Sequence, residues 1–236
     1  MGALYAASTP LLWQRPICPE PAWALGKKAL SLLSCLRPSP RPAYLGQYKR
    51  RLDLHGSDAK KQVVPFMSCM PLLHNLRLSA PSDPVSHPCH SIYHILYDIL
   101  PHYPRLERLL LSKFEISNST LVNISQWCNQ IHVLELHNCA GFTTDALTTL
   151  LTGYRTCLTS LTLLVNDGWK AHLGRTLDRS QLQQLTSLSV YRCLAIDNGF
   201  LCRPLATHLT AFRITQCNVD LGHTPELLLR FLRAHP

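Results

Sequence analysis

An apolar residue, two free positions, an apolar residue, one free position and a third apolar residue form a pattern that returns throughout this chain. Leu73, Leu76 and Leu78 set the spacing, which recurs at Leu106/Leu109/Leu111, Ile131/Leu134/Leu136, Leu158/Leu161/Leu163, Leu185/Leu188/Val190 and Leu209/Phe212/Ile214. Successive starts lie 33, 25, 27, 27 and 24 residues apart. Lys49-x-x-Leu52-x-Leu54 fits the same pattern with one polar substitution. The alternation at the end of each trio has the period of a strand, so its leucines share one face and the residues between them the other. The intervening segments read as helical returns. Thr143-Thr144-Asp145 offers an N-cap ahead of Leu147, Leu150, Leu151 and Tyr154, which fall on one helix face. Ser117 or Asn118 caps a segment carrying Leu121, Ile124 and Trp127. Thr224-Pro225-Glu226, with a capping hydroxyl and proline at the first helical position, starts another with Leu227, Leu228 and Phe231 inward. The longest spacing contains a loop insertion, Ala80 to His90, and residues 169–184 form a second extended return.

One strand and one helical return per period of this length is the signature of a leucine-rich repeat. The predicted fold is therefore α/β: a right-handed leucine-rich-repeat solenoid, or horseshoe, with about seven parallel strands, one per repeat, over residues 48–236. Seven trios supply about twenty interior side chains, each contributing roughly 1.5–3 kcal/mol on burial. A single unit cannot fold alone, because its apolar face is covered only by the next unit. Residues 1–47 differ: Pro10, Pro16, Pro19, Pro21, Pro38, Pro40 and Pro42 make a linker. Trp23-Ala-Leu25 and Ala29 to Leu33 give one short amphipathic helix within it, ending near Pro38. At Leu232 to Pro236 another trio is due and no polar capping repeat is present, so the expectation is a domain truncated at its C-terminus.

Composition narrows the class. Apolar residues make up 46% and charged ones 16%, which fits a core-forming chain. No stretch approaches the roughly 20 apolar residues of a membrane span. The N-terminus has neither the charged start of a signal peptide nor the hydroxyl residue at position 6 of a myristoylation signal. A cytoplasmic or nuclear location, with no membrane partner, is the expectation. The 10 cysteines resemble a disulfide framework in number only. Cys139, Cys193 and Cys217 each fall eight residues after a trio start, the slot that Asn166 fills in another repeat. That periodicity points to reduced, buried thiols closing the turn after each strand. Asn118-Ser119-Thr120 and Asn123-Ile124-Ser125 match the glycosylation sequon, which is without meaning in an unsecreted chain. Of the +9 net charge, +7 lies between Gln14 and Lys61, where ten basic residues face three acidic ones. Such a segment can meet nucleic acid. A solvated basic loop is the better reading, since no aromatic-basic interleaving of the RNA-reading type appears.

No catalytic signature occurs: there is no G-x-S-x-G, G-x-G-x-x-G, Walker loop or H-E-x-x-H. His87-Pro-Cys89-His90 and His94 hold zinc-type donors, but they follow no four-ligand template, so no metal and no cofactor is assigned. The chain reads as a binding protein rather than an enzyme. Its candidate partner-binding residues are those between the leucines: Arg51, Asp53, His55, Asn75, Arg77, Arg108, Glu135, His137, Tyr191 and Arg213. Arg and Tyr are the side chains that most often anchor protein interfaces.

Ala6-Ala7-Ser8-Thr9-Pro10-Leu11-Leu12-Trp13-Gln14-Arg15-Pro16 resembles the tail of an F-box in fungal F-box/leucine-rich-repeat proteins. Gly46-Gln47-Tyr48 is similar to the phrase that precedes their first repeat strand. Leu134-Glu-Leu136-His-Asn-Cys139, Leu188-Ser-Val190-Tyr-Arg-Cys193 and Phe212-Arg-Ile214-Thr-Gln-Cys217 look like that family's cysteine-containing repeats. The resemblance implies that residues 1–47 are an F-box tail and linker, and that residues 48–236 hold a protein substrate on a concave face. It further implies the substrate-recognition part of a Skp–cullin–F-box ubiquitin ligase. The Leu-Pro-x-Glu opening of an F-box does not precede this tail here, so docking on a Skp-type adaptor is implied only with a complete F-box upstream. The alternative is a ligase-independent protein-interaction scaffold or regulator.

Overall fold

The structure, a computed structural model, describes residues 50–55, 70–80, 93–164, 176–177, 181–192 and 208–217, except for the side chains of 54, 55 and 93–95. Seven strands form one sheet: β1 (Arg51–His55), β2 (Asn75–Ser79), β3 (Arg108–Ser112), β4 (Val133–His137), β5 (Ser160–Leu164), β6 (Ser187–Tyr191) and β7 (Ala211–Thr215). They lie in chain order, every neighbouring pair parallel. Parallel neighbours need a crossover between them, and the segments between trios provide it.

The trio register is kept from end to end. Leu52, Leu76, Leu109, Leu134, Leu161, Leu188 and Phe212 are mutual partners across the sheet. Two residues on, Leu54, Leu78, Leu111, Leu136, Leu163, Val190 and Ile214 make a second row. A slip of one residue would turn both rows outward, so burial of the leucines fixes the register. The longest spacing does not disturb it; the additional length lies wholly between β2 and β3. At β7, the last strand of the order, Phe212 and Ile214 are only partly buried, because no strand covers their outer flank among the described residues.

Among the described residues, three helices can be bounded in the crossovers: α1 (Tyr93–Ile99), α2 (Asn118–Trp127) and α3 (Thr144–Gly153). α1 tightens into a 3-10 turn, Leu100–His102, containing Pro101. Both predicted caps form. Ser117 Oγ accepts from Thr120 N at 3.2 Å, and Thr143 Oγ1 accepts from Ala146 N at 3.3 Å. Leu121 and Ile124 on α2, and Leu147, Leu150 and Leu151 on α3 with Tyr154 just after it, join the strand leucines in one continuous core. Tyr154 is fully enclosed, and its hydroxyl donates to Ile124 O at 3.0 Å. Trp127 stays half-buried, its ring edge-on to Tyr97 with centroids 4.7 Å apart.

Two repeating devices join one unit to the next. At each strand entrance one carbonyl accepts two consecutive N–H groups of the following unit: Arg50 O from His74 and Asn75, His74 O from Glu107 and Arg108, Glu107 O from His132 and Val133. The series continues through His132 and Thr159 to Thr186. In its later steps a threonine hydroxyl adds a third bond: Thr159 to His132 O, Thr186 to Thr159 O and Thr210 to Thr186 O, at 3.0–3.2 Å. At the strand exits Lys113, Asn138, Arg192 and Gln216 all have positive φ, from 53° to 62°. After Lys113, Asn138 and Gln216 the chain turns sharply enough to place the next residue inward.

That next residue is Cys139 after β4 and Cys217 after β7. Cys139 Sγ donates to Leu111 O at 3.4 Å and Cys217 Sγ to Val190 O at 3.8 Å, each a carbonyl of the preceding strand. Cys128, Cys139, Cys157 and Cys217 are free thiols. Cys139 thus closes its turn as a buried thiol and Cys217 as a partly buried one, and Phe114 fills the corresponding slot after β3. Cys193, the helix predicted within residues 1–47, the helix from Thr224, and the His87 to His90 cluster lie outside the described residues.

Candidate functional site

The side chains between the leucines form the second face of the sheet in three rows. Arg51, Asn75, Arg108, Val133, Ser160, Ser187 and Ala211 make one; Asp53, Arg77, Leu110, Glu135, Thr162, Ser189 and Arg213 the next; His55, Ser79, Ser112, His137, Leu164, Tyr191 and Thr215 the third. Seen as rows, the face has two regions. Charge is gathered on β1 to β4, whereas β5 and β6 carry only small hydroxyl residues with Leu164 and Tyr191.

Six of the ten candidate residues meet in one shallow depression, lined by Arg51, Asp53, Asn75, Arg77, Arg108 and Glu135 with Leu76 and Leu110. Its volume is about 160 Å³. Sites for cofactors and metabolites usually occupy some 300–1,000 Å³; this one suits a single protruding side chain. His137 stands at its border. Tyr191 and Arg213 form a separate pair, Arg213 Nη1 donating to Tyr191 Oη at 3.3 Å. His55 pairs in register with Ser79, and its side chain lies outside the described part.

Ion pairs organise the depression. Arg51 donates to both Asp53 oxygens, from Nε at 3.2 and 3.1 Å and from Nη2 at 2.9 Å. The two residues lie two apart on β1 and therefore on the same face. Arg108 on β3 reaches to Glu135 on β4, with Nε and Nη2 at 3.2 and 2.5 Å from Oε1. His137 Nε2 lies 3.5 Å from Glu135 Oε2. The His137 ring and the Arg108 guanidinium hold the Glu135 carboxyl at about 2, against a desolvation that pushes it upward. Glu135 is thus a fixed negative charge at any physiological pH. Arg77 stands between the two pairs. Its Nε is enclosed and has no hydrogen-bond partner.

Leu110 was not legible as a lining residue. It occupies a position expected to be open, yet is only 6% exposed. The long side chains of Arg77, Arg108 and Glu135 surround it in the depression. Another pair beyond the strands also escaped notice, Arg192 Nε donating to Gln216 Oε1 at 2.8 Å. Both residues occupy the positive-φ slot after their strands, so the period itself could have aligned them.

The depression presents charge, hydrogen-bond donors and one apolar wall. Burial pushes the thiols of Cys128 and Cys139 up to about 12, so neither is a nucleophile at neutral pH. Among the described residues no three His, Cys, Asp or Glu side chains are gathered as for a metal ion. Both sequon amides are occupied: Asn118 Oδ1 accepts from Thr143 N at 2.7 Å and Asn123 Nδ2 donates to Tyr97 Oη at 2.7 Å. Among the described residues no helix is long and apolar enough to cross a membrane. No protein-family model and no curated protein sequence matches the chain.

Proposed function

We propose that the chain is a leucine-rich-repeat solenoid that binds another protein on the polar face of its sheet. In this reading it serves as the substrate-recognition part of a Skp–cullin–F-box ubiquitin ligase. The observation that carries the binding assignment is the unbroken register of seven apolar pairs, five of them leucine with leucine. It turns one face toward the core and leaves three rows of side chains with no other element of the described chain over them. A surface built strand by strand in this way offers many contact positions. The ligase assignment rests on the Pro10-Leu11-Leu12-Trp13 segment and the cysteine-bearing trios, which resemble fungal F-box/leucine-rich-repeat proteins. The chain then supplies recognition only, and ubiquitin transfer belongs to another subunit.

The test has two parts. A photo-crosslinking residue at Thr162 or Ser189 captures proteins in cells, and each captured protein is re-examined in purified form. The expected result is a partner whose binding is lost on Thr162→Trp and which accumulates when the chain is depleted. The chain, and forms carrying sequence encoded upstream of Met1, are then mixed with the Skp adaptor. A ternary complex of adaptor, chain and partner supports the ligase reading. A partner that binds with no adaptor recruited by any form assigns the alternative, a ligase-independent scaffold.

A further inference from the structure

Arg77 is the one arginine of the depression that its surroundings leave unsatisfied. Arg51 has Asp53, and Arg108 has Glu135. Among the described residues no ion pair involves the Arg77 guanidinium, and its enclosed Nε has no hydrogen-bond partner. Arg77 as a whole is only partly buried, but its Nε lies out of water, and polar atoms so placed are normally hydrogen-bonded. The lining carries three arginines against Asp53 and Glu135, so one positive charge remains, and it is the charge in the middle. Asn75, beside Arg77 in the same depression, adds an amide donor, and Leu110 adds an apolar wall.

From this we infer that the depression around Arg77 is a carboxylate-binding subsite that receives an aspartate or glutamate side chain of the partner protein. The inference deepens the protein-binding reading of this face and rests on it. Charge complementarity and size choose the occupant. A guanidinium edge and an amide together donate in the fork geometry that a carboxylate accepts. The depression admits one side chain, whose methylene groups meet Leu110. A phosphorylated side chain fits less well. Its additional negative charge would lie against Asp53 and Glu135, and the latter is held ionised at all physiological pH values.

The experiment uses the full chain and follows the Arg77 Nε–H resonance by NMR while a short acetylated peptide alternating glutamate and glycine is added. Peptides with glutamine or phosphoserine in place of glutamate are run in parallel. The glutamate peptide is expected to shift the Arg77 resonance saturably, the glutamine peptide not at all, and the phosphoserine peptide more weakly. Arg77→Gln should weaken binding about tenfold, the loss expected for one charge-assisted pair. Arg192→Gln, outside the depression, should leave binding unchanged and controls for general attraction. An unshifted Arg77 resonance, or equal losses from the two substitutions, overturns the subsite. Tighter binding of the phosphoserine peptide overturns the carboxylate assignment. Shifts confined to Thr162 and Ser189, insensitive to Arg77→Gln, sink the subsite but leave the protein-binding face standing. Failure of the face itself is read separately, as a partner unaffected by Thr162→Trp.

Discussion

Leu134 and Val133 are chain neighbours on β4 with opposite surroundings, and replacing each by alanine tests the reasoning behind the whole fold. Leu134 has no exposed surface and lies between Leu109 and Leu161, which are equally enclosed. Leu134→Ala removes three carbon atoms from the centre of that row. Leucine-to-alanine changes in cores cost about 2.7–5.0 kcal/mol, the larger values where the surroundings cannot collapse into the cavity. β4 is hydrogen-bonded to β3 and β5 on its two sides, which limits collapse. We therefore expect about 3–4 kcal/mol. Val133 is only partly buried on the other face, and Val133→Ala should cost less than about 1 kcal/mol. Urea unfolding of the intact chain under reducing conditions, followed by far-UV circular dichroism, measures both. If the two substitutions shift stability equally, the leucine row does not form the core, and the register on which the binding face depends is wrong.

Three other outcomes follow from particular contacts. Glu135 has a folded-state pKa of about 2 against an ordinary 4.5, so its stabilisation is present above the ordinary value and fades as pH falls through the folded one. Urea titrations across about pH 5 to 2 should find wild type more stable than Glu135→Gln by about 1–3 kcal/mol at neutral pH, the gap closing toward the acid end. A gap independent of pH would show that the charge is not what stabilises. Cys128 and Cys139 should resist a thiol-specific alkylating reagent in the native chain at mildly alkaline pH and react only in denaturant. Mass spectrometry of the labelled peptides reads this, and native-state labelling of either would contradict their burial. Gly141 has φ of +86°, and an added Cβ would lie 3.0 Å from Ile116 O and 2.9 Å from Glu115 Cγ. Gly141→Ala should therefore cost about 1–3 kcal/mol in the same urea assay, and an unchanged midpoint would refute the strain.

The spacing of the leucines was enough to specify where every strand lies, because a half-buried strand has a period of two and admits only one register. The caps Ser117 and Thr143 were equally legible, since a hydroxyl ahead of an apolar helix face has one local use. The cysteine slots, too, declared themselves by period. Other features depend on neighbours brought close from distant parts of the chain. Nothing in the sequence around Leu110 distinguishes it from an open position; it is enclosed only because Arg77, Arg108 and Glu135 converge on it from three strands. The threonine ladder repeats visibly as Leu158-Thr159, Leu185-Thr186 and Leu209-Thr210, but its meaning appears only once consecutive units are stacked.

The same division holds for the candidate site. Sequence alone nominated ten polar residues on one face, because alternation settles which way a side chain points. It could not say that six of them gather while Tyr191 and Arg213 stand apart. Pairing decided that: Arg51 is satisfied within its own strand and Arg108 by the next, and Arg77 between them is left without a partner. Local periodicity orients a residue, whereas its charge balance depends on distances across strands some 25 residues apart in the chain. Only the folded sheet sets those distances.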